Sequence, residues 1–221
     1  MLKLAVFDLD GTLKRVPDPY IYLHQRLGTM GQAEEFFAQG MAGQIDYEEL
    51  LRLEACLWLG TPRATLEALL RQNPYLPGAR ETVAALKRRG VRVAIISTGL
   101  LLHAEMVAEE LGIGPVFGNE IFFDGDGAEP VVNGRVRAHL TMGQKGEVME
   151  RLQSQLGTSP AESLAVGDTG GDIPLFERAG VSVAVNPNEP EVAAAADIVL
   201  AEPDLRPLLA HLHRHAPHLW P

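Results

Sequence analysis

The 221-residue chain has one cysteine, Cys56, so it cannot form an intramolecular disulfide and suits a reducing compartment. No apolar run approaches the roughly 18 residues that a membrane-spanning helix needs. No charged-then-apolar leader precedes the first predicted strand. From these absences we expect a cytoplasmic protein without a membrane partner. Cys56 itself lies in an apolar stretch of helical periodicity, where we expect it in the core.

Positive charge is also scarce, since 19 Lys and Arg stand against 29 Asp and Glu, which gives a formal net charge of −10. The lack of a basic stripe argues against non-specific binding to nucleic acid. The acidic balance favours solubility and identifies no substrate. Internal repeats and low-complexity tracts are absent, and no apolar face stands out as an interface, so the oligomeric state stays open.

Apolar strands alternate with amphipathic helices from residue 91 onward, which is typical of a parallel sheet with crossover helices. A further buried strand is predicted at Leu4–Phe7, and helices over about Leu101–Leu111 and near Ile173–Ala179. The other strands are predicted over VRVAIIS, SLAVGD, VSVAV and DIVL, and a β-hairpin with Gly and Asn turns over EIFFDGDGAEPVVNGRVRAHL. The fold class is therefore α/β, with a Rossmann-like, doubly wound parallel sheet.

Only helices are predicted between residues 14 and 77, over EEFFAQGM, DYEELLRLEACLWL and TPRATLEALLRQ. We expect Asp46 and Thr61 to cap two of these helices. Prolines bound the segment at both ends. We therefore predict an all-helical cap domain over 14–77, inserted into a core domain of residues 1–13 and 78–221.

Two carboxylates, Asp8 and Asp10, follow the first strand directly and precede Gly11 and Thr12. Glycine permits a sharp bend there, so both acids fall at the carboxyl end of a strand, where open α/β sheets bind ligands. Two acids held together repel unless a cation or a phosphoryl group accompanies them. The alternative is an ordinary Asp- and Gly-rich turn, but the position directly after a buried strand favours a catalytic site.

Ser97, Thr98 and Gly99 follow a second strand and precede a helix, so a hydroxyl and exposed backbone N–H groups predict an anion site. The same residues are also an ordinary helix cap. Lys145 lies in the first turn of another predicted helix, where the helix dipole disfavours a cation. This position suggests an anionic partner, with a surface lysine as the alternative.

A second acid pair, Asp168 and Asp172, lies on a glycine-lined loop after a third buried strand. Carboxylates at that sheet edge offer oxygen ligands to a hard cation. The chain thus supplies an acid pair, a hydroxyl, a lysine and a second acid pair from four separated segments. Their joint occurrence in this order favours one active site.

In order along the chain, DLDGT, Ser97, Lys145 and GDTGGD match the four motifs of the haloacid dehalogenase superfamily of phosphohydrolases, which the chain resembles over nearly its whole length. The helical insert after the first motif, the GQIDYEEL segment and the hairpin before the lysine are similar to the phosphoserine phosphatase branch. The resemblance implies a Mg²⁺-dependent phosphatase that acts on a small phosphorylated metabolite.

The resemblance also implies residue roles. Asp8 would attack phosphorus and form an aspartyl-phosphate, while Asp10 would act first as general acid and then as general base. Mg²⁺ would be held by the Asp8 carboxylate, the Asp10 backbone carbonyl and Asp168. Asp172 would complete the acidic shell directly or through water.

The remaining motif residues would bind the phosphoryl oxygens. Ser97 and Lys145 would do so through their side chains, and the backbone N–H groups near Thr98 and Gly99 would add donors. The helical insert would act as a lid that excludes water and contacts the leaving group.

The chain departs from phosphoserine phosphatases at the positions that contact the substrate. That branch has an acid shortly after the first motif for the ammonium and an arginine in the insert for the carboxylate. Our alignment places Pro17 and Glu54 there, although Asp18 and Arg52 lie nearby and could substitute after a small register shift. Gly171 also replaces an asparagine that is common in that branch.

Other features leave alternatives open. Four aromatic residues of the insert either line the inner face of the lid or form its core: Tyr20, Tyr22, Tyr47 and Trp58. His211 and His215 are spaced for one helical face, but we expect a solvated tail there rather than a metal site.

Three functions are compatible with the sequence. The first is an Mg²⁺-dependent phosphatase, with phosphoserine phosphatase proper as one variant. The second is phosphoryl transfer to an acceptor other than water. The third, a non-catalytic phosphate-binding module, predicts loss of the nucleophile or of the general acid, and both Asp8 and Asp10 are present.

Overall fold

The computed structural model describes residues 1–125 and 129–221. Seven strands form one sheet: β1 (Leu4–Phe7), β2 (Arg92–Leu100), β3 (Val116–Asp124), β4 (Val131–Arg137), β5 (Ser163–Gly167), β6 (Val181–Val185) and β7 (Ile198–Leu200). Their order is β4-β3-β2-β1-β5-β6-β7, and all neighbours pair in parallel except β3 and β4. This topology confirms the predicted α/β fold with a doubly wound parallel sheet.

The helices are α1 (Pro19–Leu27), α2 (Met30–Met41), α3 (Tyr47–Leu57), α4 (Arg63–Gln72), α5 (Ala79–Arg88), α6 (Leu101–Leu111), α7 (Lys145–Leu156), α8 (Ile173–Phe176), α9 (Pro190–Ala195) and α10 (Leu208–His215). The first four follow one another between β1 and α5, in the stretch where only helices were predicted. None of the described helices is long and apolar enough to cross a membrane.

Strand β1 lies at the centre of the sheet and is fully buried, because both of its faces are covered by helices. Its side chains alternate between two apolar cores. Ala5 and Phe7 pack with residues of α5, α6 and α10, whereas Leu4 and Val6 pack with residues of α7, α8 and α9. Because β1 pairs in parallel with β2 and β5, the carboxyl ends of these three strands meet at one edge of the sheet.

Helices α1, α3 and α4 share a third apolar core that continues onto β2, β3 and β4. Tyr22, Leu23 and Trp58 are buried in it, and the ring of Tyr20 stacks on Trp58 with centroids 6.1 Å apart. Helix α1 begins with Pro19 in its first turn and is capped by Asp18, whose carboxylate accepts from the backbone N–H groups of the first turn.

Two predictions for the helical segment were wrong. Cys56 is exposed, because Leu51 and Ala55 define the buried face of α3 and the next residue is rotated by about 100° away from that face. Thr61 does not cap α4, since Pro62 occupies the N-cap position and no side chain there accepts a hydrogen bond. The predicted cap at Asp46 is confirmed by its bond from the Glu49 N–H, at 2.8 Å.

The predicted hairpin is formed by β3 and β4, with Ile121 opposite Val136, and part of its connection (residues 126–128) lies outside the described residues. Strand β3 begins four residues earlier than expected, because Val116 pairs in parallel with Ile95 of β2.

The C-terminal segment is not a solvated tail. It forms α10, whose Leu208 and Leu212 are fully buried against the sheet. His211 and His215 lie on the more exposed side of α10 and stack with ring centroids 5.9 Å apart.

Candidate active site

Lys145, at the start of α7, joins two of the predicted acids. Its Nζ donates to Asp8 Oδ1 at 2.8 Å and to Asp172 Oδ1 at 2.7 Å. The lysine is only 2% exposed, so the surface alternative is excluded. Burial by itself lowers the pKa of Lys145, but Asp172 and Asp8 outweigh this effect and raise it above its ordinary value. Lys145 is therefore a fixed positive charge beside Asp8.

Asp172 also organises the loop after β5. Its Oδ2 accepts from the backbone N–H groups of Asp168 at 3.0 Å and Thr169 at 3.1 Å. Asp168 is held separately, because the hydroxyl of Thr12 donates to its Oδ1 at 2.7 Å. The second acid pair is thus tied to the loop that carries the first.

One carboxylate oxygen from each of Asp8, Asp168 and Asp172 lies within 4.8 Å of the other two, and all three residues are buried. Burial raises the pKa of Asp8 well above its usual range, and burial together with the charge of Asp172 raises the pKa of Asp168 to about 7. One lysine does not balance three buried carboxylates. The site therefore fits a hard divalent cation such as Mg²⁺, which takes oxygen ligands.

Glycine is required where the two acidic loops approach each other. Gly11 has φ of +87°, and a Cβ there would overlap the Asp168 carboxylate. A Cβ at Gly167 would overlap the side chain of Asp172. The two glycines let both loops pack against the acids without displacing them.

The Asp10 carboxylate points away from the three-acid cluster, toward β2 and α6. Its Oδ2 lies 3.4 Å from the hydroxyl of Ser97, which accepts from the Gly99 N–H at 2.9 Å. Its Oδ1 lies 3.1 Å from Nδ1 of His103, a residue of α6 that is 1% exposed. The side chain is therefore oriented by two partners from a neighbouring strand and helix.

Thr98 contributes its carbonyl to a network that holds the end of β2. That oxygen accepts from the hydroxyl of Tyr47 at 2.9 Å and from Nδ2 of Asn119 at 2.8 Å. Asn119 Oδ1 in turn accepts from the backbone N–H groups of His139 and Leu140, just before α7. Asn119 thus connects the Ser97 and Lys145 segments, and Tyr47 connects α3 to both.

A cavity of about 370 Å³ opens above Asp8 and Asp10. Ser97, Thr98, Gly99 and Lys145 line its floor together with the two acids, so six of the eight predicted site residues face one space. The other two, Asp168 and Asp172, lie beside it. The roof is formed by residues that precede α1 or belong to α1, α2, α3 and their connections: Pro17, Asp18, Pro19, Tyr20, Phe37, Gly40, Met41, Ile45, Asp46, Tyr47, Leu50, Leu51 and Glu54.

The cavity separates the alternatives left open by the sequence. Tyr20 and Tyr47 line it, whereas the other two aromatic candidates belong to the helical core. Asp18 faces the cavity, but Arg52 does not, because its guanidinium binds Glu49 on the exposed side of α3. None of the described lining residues is an arginine. Gly171 is buried in a 3₁₀ turn before α8.

Comparison with known proteins adds independent information. The family model described as haloacid dehalogenase-like hydrolase matches residues 5–177. A phosphoserine phosphatase of Wolinella succinogenes is 32% identical over 212 residues, which cover 96% of this chain and 100% of that protein. One of Archaeoglobus fulgidus is 30% identical over 85% of this chain, which spans only 53% of that longer protein.

A solved structure gives the same result. A phospho-aspartyl intermediate analogue of phosphoserine phosphatase superposes with a TM-score of 0.79 at 28% sequence identity. The match covers 95% of this chain and 98% of that one.

Proposed function

The chain belongs to the haloacid dehalogenase-like hydrolases, in their phosphoserine phosphatase-like branch, and we propose that it hydrolyses a small phosphomonoester through an aspartyl-phosphate on Asp8. The observation that carries this proposal is the position of Asp8. Its carboxylate lies on the floor of the cavity, bound to Lys145 at 2.8 Å and next to two further acids.

Asp8 performs the first displacement. One of its carboxylate oxygens attacks phosphorus, the bond from phosphorus to the ester oxygen breaks, and the departing alkoxide takes a proton from Asp10 to leave as an alcohol. Because uncatalysed phosphomonoester hydrolysis needs acceleration of up to about 10²¹-fold, dividing it into two displacements is a large advantage. The bond from Lys145 supports this role, since it fixes the direction of the Asp8 carboxylate.

Asp10 then reverses its role. As a carboxylate it accepts a proton from a water molecule, whose oxygen attacks the phosphorus of the aspartyl-phosphate. The bond to Asp8 breaks, which regenerates the Asp8 carboxylate, releases inorganic phosphate and returns Asp10 to its protonated form. The contacts from Ser97 and His103 support this double role because they hold one orientation of Asp10 throughout.

Asp8, Asp168 and Asp172 would hold Mg²⁺, together with the backbone carbonyl of Asp10. The ion supplies the positive charge that lets an anionic nucleophile meet an anionic phosphate. The phosphoryl oxygens would be bound by Ser97, Lys145 and the backbone near Thr98 and Gly99. Their common position on the cavity floor supports this assignment.

Residues 14–77 would act as a cap domain over a core of residues 1–13 and 78–221. This division is supported by the roof of the cavity, since most of its residues come from α1, α2 and α3. A roof of this kind excludes water from the aspartyl-phosphate and contacts the leaving group. We also propose a cytoplasmic location, which the single cysteine supports.

Two finer alternatives concern the acceptor and the substrate. The names of the relatives favour phosphoserine as the substrate. The second alternative is phosphoryl transfer to an added alcohol, which would differ from hydrolysis only in which acceptor enters the cavity. Product analysis separates hydrolysis from transfer, because hydrolysis yields inorganic phosphate and transfer yields a new phosphomonoester.

The test is phosphate release from a panel of esters that includes p-nitrophenyl phosphate, phosphoserine, sugar phosphates and nucleotides, with Mg²⁺ or with EDTA. We expect Mg²⁺-dependent release by the native chain and a loss of at least about 10⁴-fold in Asp8→Asn. Glu202→Gln is the matched control, since it removes an exposed acid that lies far from Asp8 in the sequence. Release that survives Asp8→Asn would exclude an aspartyl-phosphate on this residue.

A further inference from the structure

Glu54, on the inner side of α3, is a buried acid that the proposed chemistry does not use. It is 1% exposed and lines the roof of the cavity. Among the described residues, its Oε1 has no hydrogen-bond partner. A buried carboxylate oxygen without a partner costs free energy, so a ligand that donates to it would offset that cost.

The surroundings of Glu54 are negative or aromatic. Burial, followed by the charge of Asp18, raises the pKa of Glu54 to about 8. The hydroxyl-bearing rings of Tyr20 and Tyr47 face the same cavity. Asp18 is half-buried, and its carboxylate already caps α1 through bonds of 2.9 Å from two backbone N–H groups. Asp18 is therefore held in place at the cavity wall, where it and Glu54 can receive a positive group.

Positive charge on the cavity wall is limited to Lys145, among the described lining residues. Its ammonium is bound to Asp8 and Asp172 on the floor, so it does not pair with the acids of the roof, Asp18 and Glu54. A carboxylate on the leaving group would meet Asp18 and Glu54 without an arginine to bind it. The charge of Asp18 and the absence of an arginine from the described lining residues both select against such a ligand.

We propose that the substrate is the phosphomonoester of an amino alcohol, whose ammonium binds Glu54 and Asp18 and whose carbon chain carries no carboxylate. Charge-assisted hydrogen bonds would then satisfy the unpartnered Glu54 oxygen. The apolar and aromatic part of the roof, including Phe37 and Leu50, would contact the carbon chain. This inference rests on the proposed function and specifies its substrate class.

Three esters that differ by one group each provide the test. n-Propyl phosphate carries neither an ammonium nor a carboxylate. O-phosphoethanolamine has an ammonium in place of its terminal methyl, and O-phosphoserine has a carboxylate in addition. We expect kcat/KM of the native chain to be highest for O-phosphoethanolamine. Its preference over n-propyl phosphate should fall roughly 10- to 100-fold in Glu54→Gln, which removes the charge and keeps the size.

Two further variants sharpen the test. Asp18→Asn should also lower the preference, because asparagine still caps α1 but carries no charge. Glu48→Gln, on the exposed side of the same helix, should leave the ratio within about twofold, since exposed charges are screened. Circular dichroism establishes that each variant is folded.

The outcomes separate this inference from the proposed function. Hydrolysis of p-nitrophenyl phosphate with no preference for the ammonium ester, or a preference that Glu54→Gln leaves unchanged, would overturn the inference alone. A native preference for O-phosphoserine would do the same. Absence of hydrolysis for every ester, p-nitrophenyl phosphate included, would overturn both.

Discussion

Gly11 combines two constraints at one residue, since its φ is +87° and its missing side chain leaves room for the Asp168 carboxylate. We expect Gly11→Ala to lower phosphatase activity by roughly 100-fold, because displacing a metal-site carboxylate typically has effects of that size. The measurement is kcat/KM at saturating and at limiting Mg²⁺, with the loss greater at limiting Mg²⁺.

Gly157→Ala is the matched comparison. Gly157 also has positive φ, +61°, but no atom lies within 4 Å of the position a Cβ would take. Both variants therefore share the backbone strain of about 1 kcal/mol, and only Gly11→Ala moves Asp168. Equal activity in the two variants would show that the close approach at Gly11 does not matter.

The predictability of the site differs from residue to residue. Asp8 and Asp168 could be located from sequence because each follows a buried strand and lies in a dense motif. His103 and Asn119 were not anticipated, and Tyr47 was named only as a lid or core aromatic without its bond to the Thr98 carbonyl, since each is one residue in an ordinary helix or strand pattern. Their roles depend on which distant backbone groups and side chains they meet, and that is decided by tertiary packing.

At the scale of secondary-structure elements, the core of α1, α3 and α4 contains a buried histidine. His24 Nδ1 lies 3.1 Å from the indole N–H of Trp58 and 2.7 Å from the hydroxyl of Thr29. Because an indole N–H only donates, Nδ1 is an acceptor and the ring is neutral. Burial lowers the pKa of His24 to about 4.

This histidine predicts an acid sensitivity of the helical segment. At this residue the unfolded chain, with a histidine pKa of about 6.5, binds more protons than the folded one between about pH 6.5 and 4, so the contribution of His24 to stability falls as pH falls through that range. In a Trp220→Phe background, Trp58 fluorescence reports unfolding, since the chain has 2 tryptophans. The raised pKa values of Asp8, Glu54 and Asp168 act in the opposite direction, so the contribution of His24 is read from the difference in urea midpoint between the parent and a variant without this histidine, at pH 7 and at pH 5.

His24→Gln provides the comparison in the same background, because glutamine keeps an acceptor for Trp58 and does not titrate. From pH 7 to pH 5, the urea midpoint of His24→Gln should rise relative to that of the parent. Identical changes in both would mean that His24 does not control the acid response.

Elements with clear periodicity were predicted well, and those with conflicting signals were not. The bounds of β1 and α6 agree with the sequence pattern to the residue. Helix α1 was missed because Pro17 and Pro19 resemble a linker, although proline is favoured in the first turn of a helix. The first half of β3 was missed because its pairing with β2 leaves no alternating pattern.

At the scale of the whole molecule, the three buried acids beside one lysine predict that stability depends on a cation. At a Mg²⁺ concentration of about 100 times its Kd, binding to the native state contributes about 2.7 kcal/mol. For a chain of this size, each kcal/mol raises Tm by about 2–4 °C, so we expect an increase of about 5–10 °C over EDTA. Differential scanning calorimetry measures this shift.

Asp168→Asn should remove most of the Mg²⁺ shift while raising Tm in EDTA, because it removes one of the repelling carboxylates. A full Mg²⁺ shift in this variant would place the binding site elsewhere. The Glu202→Gln control should behave like the native chain.

The overall architecture and the substrate class differ in how far sequence determines them. Alternating strands and helices predict the sheet, since local periodicity fixes which face of each element is buried. The cavity roof, in contrast, is assembled from separate residues of α1, α2, α3 and their connections. Pro17, Asp18 and Glu54 could be aligned, but only packing decides that Asp18 faces the cavity and Arg52 does not.

The central position of β1 affects how the chain matures on the ribosome. Leu4 pairs on one side with Arg92 and on the other with Ser163, so β1 gains its second neighbour only after some 160 further residues have been made. At about 5–20 residues per second, translation leaves at least one edge of this apolar strand unpaired for on the order of 10 s. Ribosome-bound chains that end before β5 lack Asp168 and Asp172 and carry Asp8 on an open strand edge, where a chaperone has the opportunity to bind.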